Sequence, residues 1–150
     1  MRYTWLIFLF SLMFASIAIA ENGLISVKSS HAVKVTADRL ETVLKEKGMT
    51  VFARIKHSEG AKKADIDLRP TELIIFGNPK VGAPLMQCKQ TVGIDLPQKA
   101  LIWKDDTGQV WLTYNDPQYL SKRHGLSACA GVITKVEKAL NNFAKAATKP

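Results

Sequence analysis

The chain has 150 residues, enough for one domain with one core. Its 47% hydrophobic and 23% charged residues are ordinary for a globular protein, which excludes disorder and coiled coil as descriptions of the whole. The formal charge is +8, but the lysines are scattered and Lys62-Lys63 is the only Lys pair, so the basic balance does not form a nucleic-acid tract.

The N-terminus opens with the positive Met1-Arg2, followed by an apolar block from Trp5 to Phe14 interrupted only by Ser11. Ala18-Ile19-Ala20 then supplies small residues at the two positions a signal peptidase reads. The pattern predicts a signal peptide over residues 1–20, cleaved after Ala20, and a periplasmic or secreted domain over residues 21–150. An uncleaved anchor is the alternative, but residues 5–20 give only 16 positions where a span needs about 20. No stable membrane span is expected after cleavage. The mature charge would be +7, and outside the cytoplasm anionic surfaces or small anionic ligands suit it better than nucleic acid.

The first strand is predicted over residues 23–29, where apolar and polar residues alternate from Ile25 onward. A helix follows, with Thr36 as its N-cap, Ala37, Leu40, Val43 and Leu44 on one face, and Gly48 as its stop. Residues 49–57 read as a second strand in which Val51, Ala53 and Ile55 alternate with Phe52, Arg54 and Lys56. Residues 58–65 are a polar loop or short helical turn. Leu73-Ile74-Ile75-Phe76 reads as a central strand buried on both faces and closed by Gly77-Asn78-Pro79-Lys80. A loop with Gly82 and Pro84 comes next, then a short helix within residues 85–91 and a break at Asp95-Leu96-Pro97. Residues 99–105 and 109–115 form the clearest hairpin, turning at Asp106-Thr107-Gly108. Asp116 caps a short helix with Pro117 at its first position. The last helix, residues 130–147, carries a continuous stripe of Val132, Ile133, Val136, Leu140, Phe143 and Ala147. The order β-α-β-β-β-β-α implies an α+β domain with two main helices on one face of an antiparallel sheet. The other face needs cover, and a homodimer pairing sheets or edges would supply it.

Several of these segments together resemble the bacterial and archaeal family called domain of unknown function 302. They are Gly48-Met49-Thr50-Val51-Phe52-Ala53-Arg54-Ile55-Lys56-His57, Phe76-Gly77-Asn78-Pro79-Lys80, Asp95-Leu96-Pro97, Trp111-Leu112-Thr113-Tyr114-Asn115-Asp116-Pro117 and Arg123-His124. The resemblance covers nearly all of residues 21–150. It departs at Lys56, where the family more often has an acid before the histidine, so no carboxylate role is expected there. It implies a sheet of the TATA-binding-protein-like class. A fold at this level carries no activity.

Cys88 and Cys129 would close a loop of 42 residues as one disulfide in an oxidising compartment. Two separate thiols, or metal ligation with Met86 and Cys88 as soft ligands for copper, are the alternatives. No Cys-x-x-Cys or His-x-x-x-His occurs, so no metal site is assigned. Polar residues at the ends of elements are the ligand-binding candidates: His57, Asn78, Lys80, Tyr114, Asn115 and His124. As a group they would offer imidazoles for proton transfer or ligation, a cation for an anion, and amides for positioning. Singly, each has a structural use in a cap or turn. No nucleophile elbow, phosphate loop or dinucleotide fingerprint is present. Three function classes follow. One is an exported binding module for a small anionic or metal ligand such as haem or copper. Another is a small enzyme with His57 or His124 as acid–base. The third is a ligand-free dimeric envelope scaffold. No cofactor and no catalytic residue is assigned.

Overall fold

The computed structural model describes residues 17–20 and 22–150, with Ile17–Ala20 described by its backbone alone. Most of the predicted leader therefore lies outside the described residues. Its last four form strand β1 (Ile17–Ala20), antiparallel to β2 (Leu24–Ser29). The sheet continues with β3 (Thr50–Lys56), β4 (Thr71–Gly77), β5 (Gln98–Lys104) and β6 (Val110–Asn115) in the spatial order β1-β2-β6-β5-β4-β3, antiparallel throughout. Helices α1 (Val33–Glu46) and α5 (Ala130–Thr148) pack on each other and on one face of that sheet. This is the predicted α+β architecture. Three shorter helices, α2 (His57–Lys62), α3 (Pro79–Cys88) and α4 (Pro117–His124), fill the connections.

The core lies between the inner sheet face and the helix pair. Leu40 and Leu44 from α1, and Ile133, Leu140 and Phe143 from α5, meet Val27, Ile74, Phe76, Ile102 and Leu112 from the strands. Phe143 stands edge-on to Phe76, with ring centroids 6.5 Å apart. The helix stripes are those that periodicity picks out, because a helix commits only one face to burial.

Three local readings are corrected. Helix α1 begins at Val33, not after Thr36: the buried Thr36 hydroxyl donates to the Ala32 carbonyl at 3.0 Å and shares a 2.7 Å hydrogen bond with Ser29, tying the first turn to β2. Strand β4 is second from the edge and only half covered. Glu72, Ile74 and Phe76 are buried, while Leu73 and Ile75 are half-buried on the outer face. The segment after Asn78 is a helix, not a loop, because the Asn78 side chain accepts a hydrogen bond from the Lys80 N–H and Pro79 takes the first helical position. The left-handed Gly48 (φ 69°) ends α1, and Gly125 (φ 67°) ends α4.

Strand β3 departs most from its sequence reading. Val51 pairs with Phe76, but Ala53 pairs with Ile75 and Arg54 with Ile74, so Phe52 is an extra, bulged residue. Beyond the bulge every side chain changes face. Ala53 and Ile55 turn to the outer face, and Arg54 turns inward beneath α1. There its Nε lies 2.6 Å from Glu72, and its Nη1 lies 2.6 Å from Asp38 and 3.3 Å from Glu41. The Asp38 carboxyl is held below its ordinary value by its hydrogen bonds to Lys34 and then Arg54. Lys45, then Arg54, do the same for Glu41 against an opposing effect of burial. Burial works against the charge on Arg54, but the hydrogen bonds to Glu72 and Asp38 outweigh it and raise its pKa.

Glu72 is only 8% exposed, so removing its partner leaves a buried charge unpaired. Arg54→Met is expected to lower stability by about 3–5 kcal/mol in urea denaturation. Since both acids have folded-state values below their unfolded ones of 3.8 and 4.5, their contribution is complete above the ordinary carboxylate range. It is lost as the pH falls through that range. The wild-type urea midpoint is therefore expected to drop below about pH 4. In Arg54→Met that drop should be shallower.

Candidate functional site

At the end of the sheet where β4 stops and β5 starts, the inner layer does not close. Helix α3, a 3₁₀ turn at Gln90–Ile94 and the Leu96-Pro97 step stand away from α5 and leave a cavity of about 530 Å³. Gly77 and Gln98 lie at its sheet end. Val136, Ala139, Leu140 and Phe143 of α5 form one wall. Val81, Gly82, Leu85 and Met86 of α3 form another, and Met49, Phe52, Leu96 and Pro97 complete it. Phe52, Val81 and Met86 are exposed large apolar side chains, and all three border this cavity.

Local sequence explains the shape. The bulge turns the Phe52 ring toward Gly77, where an added Cβ would sit 3.4 Å from that ring and 3.5 Å from Pro97. Asn78 starts α3 and also donates from its Nδ2 to the Gly48 carbonyl at 3.1 Å, which fixes the helix to the corner between α1 and β3. At the other end of α3, Cys88 and Cys129 are paired as a disulfide with a Cα–Cα distance of 6.5 Å. The pair ties α3 to the start of α5. It also removes Cys88 as a thiolate ligand, against the copper alternative.

The candidates from the sequence scatter. His57 opens α2, next to Lys56, which pairs with Glu72, whereas Asn78 follows Gly77, which pairs with Thr50. These are opposite ends of β3, about 20 Å apart along the strand, so His57 does not join Asn78 and Lys80. Asn78 lines the cavity with both ends of its amide already bonded, and Lys80 is exposed in the first turn of α3. Tyr114 is buried on the inner face. Burial, then the charges of Asp116 and Glu137, push its hydroxyl up to about 12, so it stays protonated at neutral pH. Asn115 pairs with Leu24 at the end of β6. His124 Nε2 lies 2.6 Å from Asp95 Oδ2, and Arg123 Nη1 lies 3.3 Å from the other oxygen of the same carboxylate. That pair clasps α4 to the segment before β5, and His124 is absent from the cavity walls. Among the described residues no group of three or more His, Cys, Asp or Glu could hold a metal ion.

Sequence reasoning missed most of the cavity. Phe52, Met86, Leu96, Gln98, Lys135 and Ala139 come from separate elements. The apolar stripe of α5 hinted at one wall, and the end of the central strand at Gly77-Asn78-Pro79, with Asn78 among the candidates, marked another part of it.

The match to known families covers residues 25–143, the span from β2 to α5, and it is to the family described as Domain of unknown function DUF302. The chain belongs to the DUF302 family. A solved relative, titled "Crystal structure of uncharacterized conserved protein DUF302 from Bacillus stearothermophilus", shares the fold with a TM-score of 0.76. It is 22% identical and aligned over 83% of this chain and 98% of its own. Two curated relatives, each named "Fluoride-specific ion channel FluC 1", come from Brucella suis biovar 1 (strain 1330) and Brucella abortus biovar 1 (strain 9-941). Each is 50% identical over 118 residues, or 79% of this chain. The match spans 46% and 44% of those relatives, so the chain spans about half the length of the curated proteins it resembles. No helix among the described residues is long and apolar enough to cross a membrane.

The disulfide closes a long loop, with a sequence separation of 41. Cys88→Ser is expected to lower stability by about 4 kcal/mol through the freed unfolded chain. Thermal unfolding with and without reductant checks this: the wild type should fall to the variant's midpoint on reduction, and the variant should not move.

Proposed function

We propose that this DUF302 domain is a binding module for a small, largely apolar molecule. The cavity carries the reading. It has the size of a ligand pocket, its walls are Met, Leu, Val, Phe and Pro, and exposed apolar side chains rim it. Water in such a space finds few partners, so an apolar guest releases it at little loss. The fluoride named for the curated relatives fits poorly as the guest, because a small, strongly hydrated anion gains nothing from these walls to replace its water. A haem or metal bound through histidine also lacks support here, as none of the lining residues is a histidine. The acid–base enzyme reading, with His57 or His124 as acid–base, draws no support from the cavity, since neither histidine is among its described lining residues and His124 is engaged by Asp95.

Export from the cytoplasm belongs to the same proposal. The leader-like pattern of residues 1–20 and the paired cysteines support it. A second copy is the proposed cover for the outer sheet face, where Leu73, Ile75, Leu101, Trp103 and Trp111 are half-buried in the single chain. A dimer mass in light scattering supports that cover, and a monomer mass removes it.

Titration with the neutral fluorophore Nile red tests the cavity. Saturable binding of one dye per chain is expected. Ala139→Phe, which fills the cavity from α5 without emptying the core, should weaken it by about tenfold or more. Sodium fluoride should leave the titration unchanged. Equal dye binding by wild type and Ala139→Phe would place the dye elsewhere and sink the proposal.

A further inference from the structure

Two polar groups in the cavity walls have no structural work. Gln98 is on the inner face in register with Phe76, 9% exposed and lining the cavity; its side-chain amide makes no hydrogen bond among the described residues, and since no fully buried polar side-chain atom there lacks a partner, that amide keeps its accessible surface on the cavity side. Its inner-face neighbours Phe76 and Ala100, and Val136, Ala139, Leu140 and Phe143 of α5, have no polar side-chain group to offer it. Asn78, the other amide there, is fully engaged by Gly48 and Lys80. The amide of Gln98 is therefore the donor and acceptor left for a guest.

The second group is Lys135 of α5, exposed on the helix and, among the described residues, the only charged one lining the cavity. It forms no ion pair among the described residues. Its helical neighbours at three and four positions are Gly131, Val132, Lys138 and Ala139, so no acid competes for it on α5 and Lys138 adds to the positive field. Among the described residues no aspartate or glutamate lines the cavity. The N-terminal amides of α3 are not the anion site, because those of Lys80, Val81 and Gly82 are already bonded to Asn78.

We infer that the cavity selects amphipathic carboxylates. The apolar chain of the ligand lies against the walls of α3 and α5, and its carboxylate accepts hydrogen bonds from the Gln98 amide and the Lys135 ammonium. This names the ligand class for the binding reading above and rests on it. An alcohol of the same chain satisfies Gln98 alone and leaves Lys135 unused. A cationic amphiphile is repelled.

Displacement of Nile red by decanoate, decan-1-ol and decyltrimethylammonium, each below its aggregation limit, tests the inference. Decanoate is expected to compete about tenfold better than decanol, and the cation not at all. Lys135→Gln should remove the advantage of decanoate and leave decanol unchanged. Gln98→Leu should weaken both by about threefold to tenfold, while the ligand-free variant melts no lower than wild type, because an unbonded amide contributes nothing to the fold. Decanol competing as well as decanoate, or a Lys135→Gln variant that keeps the preference, would overturn the carboxylate assignment and leave the apolar binding module standing. Competition by none of the three would overturn both.

Discussion

One extra residue in an edge strand shapes both halves of this domain. With regular alternation, β3 would face α1 with Val51, Ala53 and Ile55 and put Arg54 in solvent. The bulge at Phe52 reverses that from Ala53 onward. Arg54 then reaches Glu72 on the sheet and Asp38 and Glu41 on α1, which joins the two layers by charge. The same bulge turns Phe52 out over Gly77, and its ring becomes part of the cavity border. Bulges are common at sheet edges and beside functional sites, where they redirect a side chain. Here the redirected residues are one ion-pair centre and one cavity wall.

The cavity then depends on α3 being held away from α5. Asn78 fixes one end of α3 to the α1–β3 corner, and the Cys88–Cys129 pair fixes the other to the start of α5. A short helix with Pro84 inside it would have little stability alone. Anchored at both ends, it stands as a wall without collapsing onto Leu140 and Phe143. That arrangement leaves the Gln98 amide open to the cavity, with the exposed Lys135 of α5 at its border.

Much of the fold was legible because it rests on local rules. The hairpin of β5 and β6, the Asp116-Pro117 start of α4 and the stripe of α5 follow from turn chemistry, capping and periodicity. The resemblance to the DUF302 family was legible in segments such as Phe76-Gly77-Asn78-Pro79-Lys80. The bulge was not legible, since Thr50 to Lys56 alternates well enough to pass as a regular strand, and only the three carboxylates around Arg54 favour the slip. Helix α3 was obscured by Gly82 and Pro84, which locally oppose a helix. The candidate cluster around His57 failed because strand ends in an antiparallel pair alternate between the two sheet ends. The cavity itself joins residues as far apart as Met49 and Phe143, a juxtaposition that no local pattern encodes.

The most direct test of the account is native mass spectrometry of the full chain and of Ala139→Phe, each purified without detergent from the cells that make it. The account predicts an added mass on the wild type that is lost on denaturation and is missing from the variant with the filled cavity. A bare wild-type chain, or the same added mass on both proteins, would contradict a ligand held in the space between α3 and α5.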